Sequence, residues 1–542
     1  NRNPVVDHTL GRIISRAYRF ADGAARQRQA LTFDPGYLPA KIQLCHDLLR
    51  LGEETEAFEL ASAIRAEDAY NIQAFNLGNL QKQIDAYHEE RTPRFTLKMP
   101  AREWPVYGPR ALELLEEAHQ TLCARYQLPL QRPVLVEFFP SQQDFAIRTF
   151  GNLGGQGILG ACFGSVVTMN SPGSLGHGRN NWESTLWHEF CHVVTLTATH
   201  NRMPRWLSEG ISVFEESQRD PAWGMAMTAD YRKMILEGEA TPVSRLSQAF
   251  LGAKSSDHLM LAYYQAGEVV AYIVKHHGKD ALQRIIQDLA KGTAINDAIS
   301  ARTAPIDELE TAFAEHLRGL AESFGAKADW EEPAPEELNP TDPESLVGYL
   351  KKHPNNLSAL RRQLSAQMQA KDHEAALNTA DRLITLLPDD FSDASAHWAK
   401  ARILREQKRL QEEAALLRTL ASRHSSALNA FLRLIELETE TQSWQEVVTH
   451  TQRALALNPF LRTPNESLAR AAAESGQTAL AIAANRRLLE LSSPNPSQVH
   501  YQLASLLRTD DPAAAKRHLL DALAQSPRYR AAHELLLDLQ AP

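Results

Sequence analysis

Hydrophobic positions recur at helical spacing over most of the chain. From about residue 8 to 90 the pattern is one of amphipathic helices joined by short polar breaks. Leu38, Ile42, Cys45 and Leu49 form one apolar stripe, Gly52 interrupts it, and Ala57, Leu60, Ala61 and Ile64 form a second, so Pro35 to Glu67 predicts a helix pair. The period then changes. Arg94–Pro100 and Pro133–Pro140 are short, bounded and β-favouring, which predicts two strands. Between them Leu112, Leu114, Leu115, Ala118 and Leu122 mark a helix over Arg110 to Tyr126. Gly157 to Pro172 reads as two short strands broken at Gly164, where glycine suits a hairpin or a close backbone approach. Trp182 to about Phe324 is helical almost throughout, and strands followed by helices predict an α+β unit.

Ala326 to Ser345 is acidic, holds four prolines and reads as a linker. Beyond it, prolines that end helices stand at Pro354, Pro388, Pro459, Pro494 and Pro527. The gaps of 34, 71, 35 and 33 residues imply a period near 35, with the missing marker near Ser425. Period and helix-pair content match the tetratricopeptide repeat, and an α-solenoid of another family is the alternative. The expected domains are therefore 1–92, helical and tetratricopeptide-like; 93–325, α+β; 326–345, linker; and 346–542, solenoid.

A length of 542 residues agrees with several domains. A formal charge of −9 gives no basic footprint, which argues against nucleic acid or an anionic membrane surface as partner. No apolar run approaches the roughly 20 residues of a membrane span. Cys45, Cys123, Cys162 and Cys191 form no CxxC pair and read as small buried side chains.

The chemistry concentrates in two helical segments. His188 and His192 stand at i and i+4, so both imidazoles project from one face and can share a cation, while Glu189 can reach a water there without ligating it. Met203 to Glu216 is a second helix opening after Pro204, and its return brings Glu209 back onto the histidine face. Two imidazoles and one carboxylate leave a fourth tetrahedral position to water, the composition of a catalytic Zn2+ site. Cys191 turns away from both histidines and reads as buried. A donor to a developing oxyanion is sought in Leu261 to Gly278, where Tyr263 is the first candidate and Tyr264 the second, with His258 weaker. His177, His200, His276 and His277 have only surface readings.

HEFCH at 188–192, PRWLSEG at 204–210, AYYQAGEVVAYI at 262–273 and the strand-and-glycine segment Phe145 to Pro172 together resemble bacterial peptidase-MA-like metallopeptidases of the gluzincin group that carry tetratricopeptide repeats. The resemblance spans roughly Arg94 to Ala321 plus the flanking helices. It implies a gluzincin-type α+β metalloprotease domain flanked by all-α repeat solenoids. It further implies zinc held by His188, His192 and Glu209, Glu189 as general base and acid, and a tyrosine donor at Tyr263 or its neighbour. Gly160 to Met169 would form the edge strand on which an extended substrate pairs. Aminopeptidase relatives carry a glutamate in the segment corresponding to Gly160-Ala161-Cys162-Phe163; its lack here favours endopeptidase action. The start at Asn1, together with what the resemblance implies, suggests export to the periplasm or cell envelope.

The expected activity is zinc-dependent hydrolysis of a peptide bond in a peptide or protein substrate, with the solenoid binding substrate or a protein partner. Two other readings stay open: a repeat scaffold around a non-catalytic zinc site, and hydrolysis of a non-peptide amide or ester.

Overall fold

The computed structural model describes residues 3–155, 157–174, 180–339 and 342–539, so His177 lies outside the described residues. Five helices open the chain: α1 (Pro4–Arg16), α2 (Phe20–Phe33), α3 (Leu38–Leu51), α4 (Glu54–Glu67) and α5 (Ile72–Ile84). The pair expected over Pro35 to Glu67 is α3 and α4. Gly52 closes α3 at φ +82, a backbone that costs glycine no steric penalty, and its N–H bonds to Leu48 and Leu49 carbonyls.

A five-stranded mixed sheet follows, built from β1 (Tyr87–Arg91), β2 (Phe95–Pro100), β3 (Val134–Phe139), β4 (Gly160–Cys162) and β5 (Val166–Asn170) in the order β1-β2-β3-β5-β4. Strands β2, β3 and β5 run parallel, and the antiparallel β1 and β4 form the two edges. The hairpin expected around Gly164 is β4–β5, with Gly164 at φ +95. Of the expected edge segment Gly160 to Met169, only β4 lies at an edge; Val166 to Met169 is interior, between β3 and β4.

Three further expectations need correction. Tyr87–Arg91 is a strand, not the end of a helical region. The helix α6 (Trp104–Ala118) starts six residues before Arg110 and carries Pro109 inside it. Phe145 to Phe150 belongs to a helix, α7 (Gln142–Phe150), capped by the Ser141 hydroxyl and ended by Gly151 at φ +79.

The helical half comprises α8 (Trp182–Ala198), α9 (Arg205–Arg219), α10 (Ala229–Leu236), α11 (Leu246–Leu251), α12 (Ser256–His277), α13 (Lys279–Ala290), α14 (Ile295–Arg302) and α15 (Ile306–Ser323). One apolar core joins sheet and helices, with Phe95, Val136, Phe190, Trp206, Leu207 and Val270 all buried in it. The acidic, proline-rich segment has no regular helix before Pro343 among the described residues, but it is tethered rather than loose. Arg232 sits 4.2 Å over the Trp330 ring, Asp329 bridges to Asn356, and Leu338 is buried.

Five helix pairs follow, from Leu357–Gln369 with His373–Leu386 to Pro496–Leu507 with Pro512–Gln525. The repeating prolines fall in the turns between pairs, and Ser425 lies in the turn that lacks one. Both arms pack onto the central unit. On the N-terminal side Glu54 of α4 pairs with Lys98 of β2 at 2.5 Å. On the C-terminal side Trp182 Nε1 donates to the Leu455 carbonyl at 3.1 Å, the Ser425 N–H donates to the Ala222 carbonyl, and Phe460 meets Tyr107 edge-on at 5.9 Å. No described helix is long and apolar enough to cross a membrane.

Candidate metal and catalytic centre

The motif helix α8 is free of glycine and proline, and its start is fixed by Asn181, whose side chain accepts from the N–H groups of Glu183 and Ser184. His200 and Asn201, both with left-handed backbone, reverse the chain, and Pro204 opens α9 alongside α8. Trp206, Leu207 and Ile211 bury one face of α9 and thereby fix the other, which carries Arg205, Glu209, Ser212 and Glu216 at i, i+4, i+7 and i+11.

That face meets the histidines. Glu209 Oε2 lies 3.2 Å from His188 Nε2 and 3.2 Å from His192 Nε2. Each ring is steered by its other nitrogen: His188 Nδ1 is 3.3 Å from Glu216 Oε2, and His192 Nδ1 is 2.8 Å from the Ser208 hydroxyl. Ser184 donates to Glu216 at 2.6 Å, and Thr195 lies 3.0 Å from Ser208, so these partners are themselves held. Burial works against a charged His188, yet Glu216 and Glu209 push its pKa well above the usual range. Burial likewise opposes a charged Glu209, but the two imidazoles hold it well below the usual carboxylate range. Three ligand atoms converge within 4.8 Å, with both Nε2 atoms aimed inward by second partners on Nδ1; this donor set fits a divalent ion of the zinc kind.

Glu189 is buried, and its Oε2 has no hydrogen-bond partner among the described residues. Burial raises its pKa; the histidines pull it down and the neighbouring carboxylates add to the rise. The backbone of β4 passes directly over it, since a Cβ placed on Gly160 would stand 2.7 Å from Glu189 Cγ. Asn170 donates to the Leu159 carbonyl and Phe163 to the Val166 carbonyl, so by antiparallel alternation the N–H and C=O of Gly160 and Cys162 point to the open side of the sheet.

The two candidate tyrosines part company. Tyr263 faces the cluster: its hydroxyl accepts from Arg205 Nη2 at 3.4 Å, and Arg205 Nε donates to Glu209 Oε1 at 3.2 Å. Burial and then the Glu209 charge raise the Tyr263 pKa, keeping the phenol a donor. Tyr264 turns the other way, is buried, and stacks on Tyr231 at 5.2 Å, so the structure does not bring it to the site. His258 is also elsewhere, bonded to Ser255 at 2.8 Å at the start of α12. Cys191 is fully buried. Arg205, Ser208 and Glu216 were not singled out in the sequence. The signal that could have found Arg205 and Glu216 is their shared helical face with Glu209.

A family model described as the Peptidase MA superfamily matches residues 163–318, which contain the histidines, Glu209 and Tyr263. No curated protein matches the chain. Among solved structures the chain is similar to YrrB, described as a TPR protein with an unusual peptide-binding site, at 13% identity over 35% of this chain and 96% of that one, with a TM-score of 0.27. It is also similar to yeast Tom70, at 10% identity over 99% and 95% of the two chains, TM-score 0.21.

Proposed function

We propose that this chain is a zinc-dependent peptide-bond hydrolase of the gluzincin type, acting as an endopeptidase. The observation that carries the reading is the convergence of His188, His192 and Glu209 beside a buried Glu189 whose Oε2 has no partner among the described residues and which lies under an open strand edge. Zinc held by those three ligands would supply Lewis acidity, the property that makes water nucleophilic near neutral pH and polarises a carbonyl.

The protein's own groups would do the rest. An extended substrate pairs with the outward backbone groups of Gly160 and Cys162, which sets its carbonyl over Glu189. Glu189 accepts the proton of the attacking water and passes it to the leaving amine nitrogen; its raised pKa favours this exchange. The Tyr263 hydroxyl donates to the oxygen that becomes negative, with Arg205 holding the phenol in place. Gly160 to Phe163 offers no carboxylate to hold a free amino terminus, which supports internal cleavage. The C-terminal helix pairs, read as tetratricopeptide repeats, would bind substrate or a partner. Support comes from a groove of about 850 Å³ lined by Leu364, Met368, Trp398, Arg402 and Leu432.

Metal analysis together with digestion of a peptide library tests the reading. The wild type should carry one zinc and cleave internal bonds. Glu189→Gln should keep the zinc and lose at least 100-fold in kcat. Full activity in that variant would sink the assignment, and bound zinc with no cleavage by the wild type would favour the scaffold reading.

A further inference from the structure

Six helix pairs turn between their two helices through one residue with left-handed backbone. Five of these residues are Gly52, Lys371, Lys408, Gln442 and Gly476, at φ between +56 and +82. Glycine accepts this backbone freely, and Lys371, Lys408 and Gln442 are exposed with long side chains that run into solvent. The sixth, between α1 and α2, is Tyr18 at φ +62. A bulky aromatic residue is a true outlier there, and such strain persists where the surroundings fix it and function uses it.

Tyr18 does not run into solvent. Its ring stacks on Phe163 at 6.2 Å and tilts against Phe20 at 5.3 Å. Phe20 meets Phe163 edge-on at 5.8 Å, and the Arg50 guanidinium lies 5.4 Å over the Phe163 ring. Phe163 is the residue that follows β4, the strand whose Gly160 touches Glu189. Even so, Tyr18 stays 40% exposed. Burial first, and then the charges of Cys162 and Glu209, push its pKa up, while Arg205 and Arg50 oppose them.

We infer that Tyr18 is a substrate-binding residue, carried by the first helix pair to the end of β4, where its half-exposed ring, backed by the buried Phe163, forms a subsite for an apolar side chain of a peptide extended along β4. The inference rests on the peptide reading of the site given above. Gly160 and Phe163 are three residues apart, about 10 Å at about 3.3 Å per residue, so the subsite lies about three residues from the bond over Glu189. Strain at Tyr18 then has a use that the same turn lacks in the other pairs.

The test uses the full chain carrying Glu189→Gln, zinc-loaded and unable to turn over, titrated with acetylated, amidated octa-alanine peptides. Single Leu, Phe or Asp residues are placed at each position in turn. Leu or Phe at one position should tighten binding about tenfold over alanine, and Asp there should not. Adding Tyr18→Lys, the residue type of two equivalent turns, should reduce that preference below twofold, while Tyr18→Phe keeps it. Should the lysine variant misfold, Tyr18→Gly, the residue type at Gly52 and Gly476, replaces it.

A preference that survives loss of Tyr18, or no binding by any peptide, overturns the inference. The two readings fail separately. Tyr18-dependent binding without cleavage by the wild type would remove the hydrolase alone, and cleavage with a preference independent of Tyr18 would remove the subsite alone.

Discussion

Glu209 uses its two carboxylate oxygens differently. Oε2 faces both imidazoles, and Oε1 is held by Arg205, which also reaches Tyr263. The sequence made His188, His192 and Glu209 legible because ligand chemistry restricts residue type and helical geometry restricts spacing. Arg205, Ser208 and Glu216 were not legible, because arginine, serine and glutamate on a helix face are ordinary surface residues until a neighbouring helix is placed. Tyr263 and Tyr264 could not be separated for a related reason: adjacent helical residues differ by about 100° in direction, and only packing says which direction is the cleft. Burial brings another residue to notice. Asp47 of α3 is fully buried, and burial raises its pKa from 3.8 to about 6, with the hydrogen bond from Gln43 opposing. A raised carboxyl pKa means that the folded state holds its proton more tightly. The resulting stability is complete below pH 3.8 and lost as pH rises through 6. Asp47→Asn should therefore raise stability by about 2 kcal/mol at pH 7.5 and leave it unchanged near pH 4, read by thermal unfolding at the two pH values.

At the scale of elements, the approach of α9 to α12 decides where Tyr263 stands. A Cβ on Gly210 would lie 2.5 Å from the Ala266 carbonyl oxygen, and one on Gly267 would lie 2.8 Å from Val213 Cγ1. The glycine after Glu209 thus lets the tyrosine helix press against the ligand helix. Gly210→Ala should lower stability by about 1–3 kcal/mol despite alanine's better helix propensity, and should reduce activity by displacing α12. Gly319→Ala, in α15 with open space around it, should instead gain about 0.5–1 kcal/mol. Denaturant titration of both proteins gives the signs, and a stabilised Gly210→Ala would refute the close crossing. Elements with a strong period, such as α3, α4 and α8, were readable. The strand β1 was not, because its sequence YHEER lies at an edge and buries no residue fully, so no apolar alternation marks it. The start of α6 was missed because Pro109 reads as a boundary, whereas here it sits one turn in, where its missing N–H costs one bond.

Across the whole molecule, the proline period announced the C-terminal helix pairs, but nothing in it said that they would return to the central unit. That contact includes Phe460 on Tyr107, Trp182 to Leu455, and Arg453 to Asp220 at 3.5 Å, beside the backbone bond from Ser425 to Ala222. Phe460 also covers Gly173, where a Cβ would stand 3.1 Å from its ring. Phe460→Ala should cost about 1–3 kcal/mol and speed hydrogen exchange in α6 and at the start of α8 while sparing the helix pair α1–α2. Exchange that stays slow in those two helices would show that the contact contributes nothing.

The Trp182–Leu455 bond also has a meaning in time. The two residues are 273 positions apart. At roughly 5–20 residues per second, a growing chain makes the second about 14 to 55 seconds after the first. The helix that bears the histidines therefore waits, uncovered at its first turn, for a partner made 273 residues later. If the proposed hydrolytic centre needs that cover, it is idle for that interval of its own manufacture.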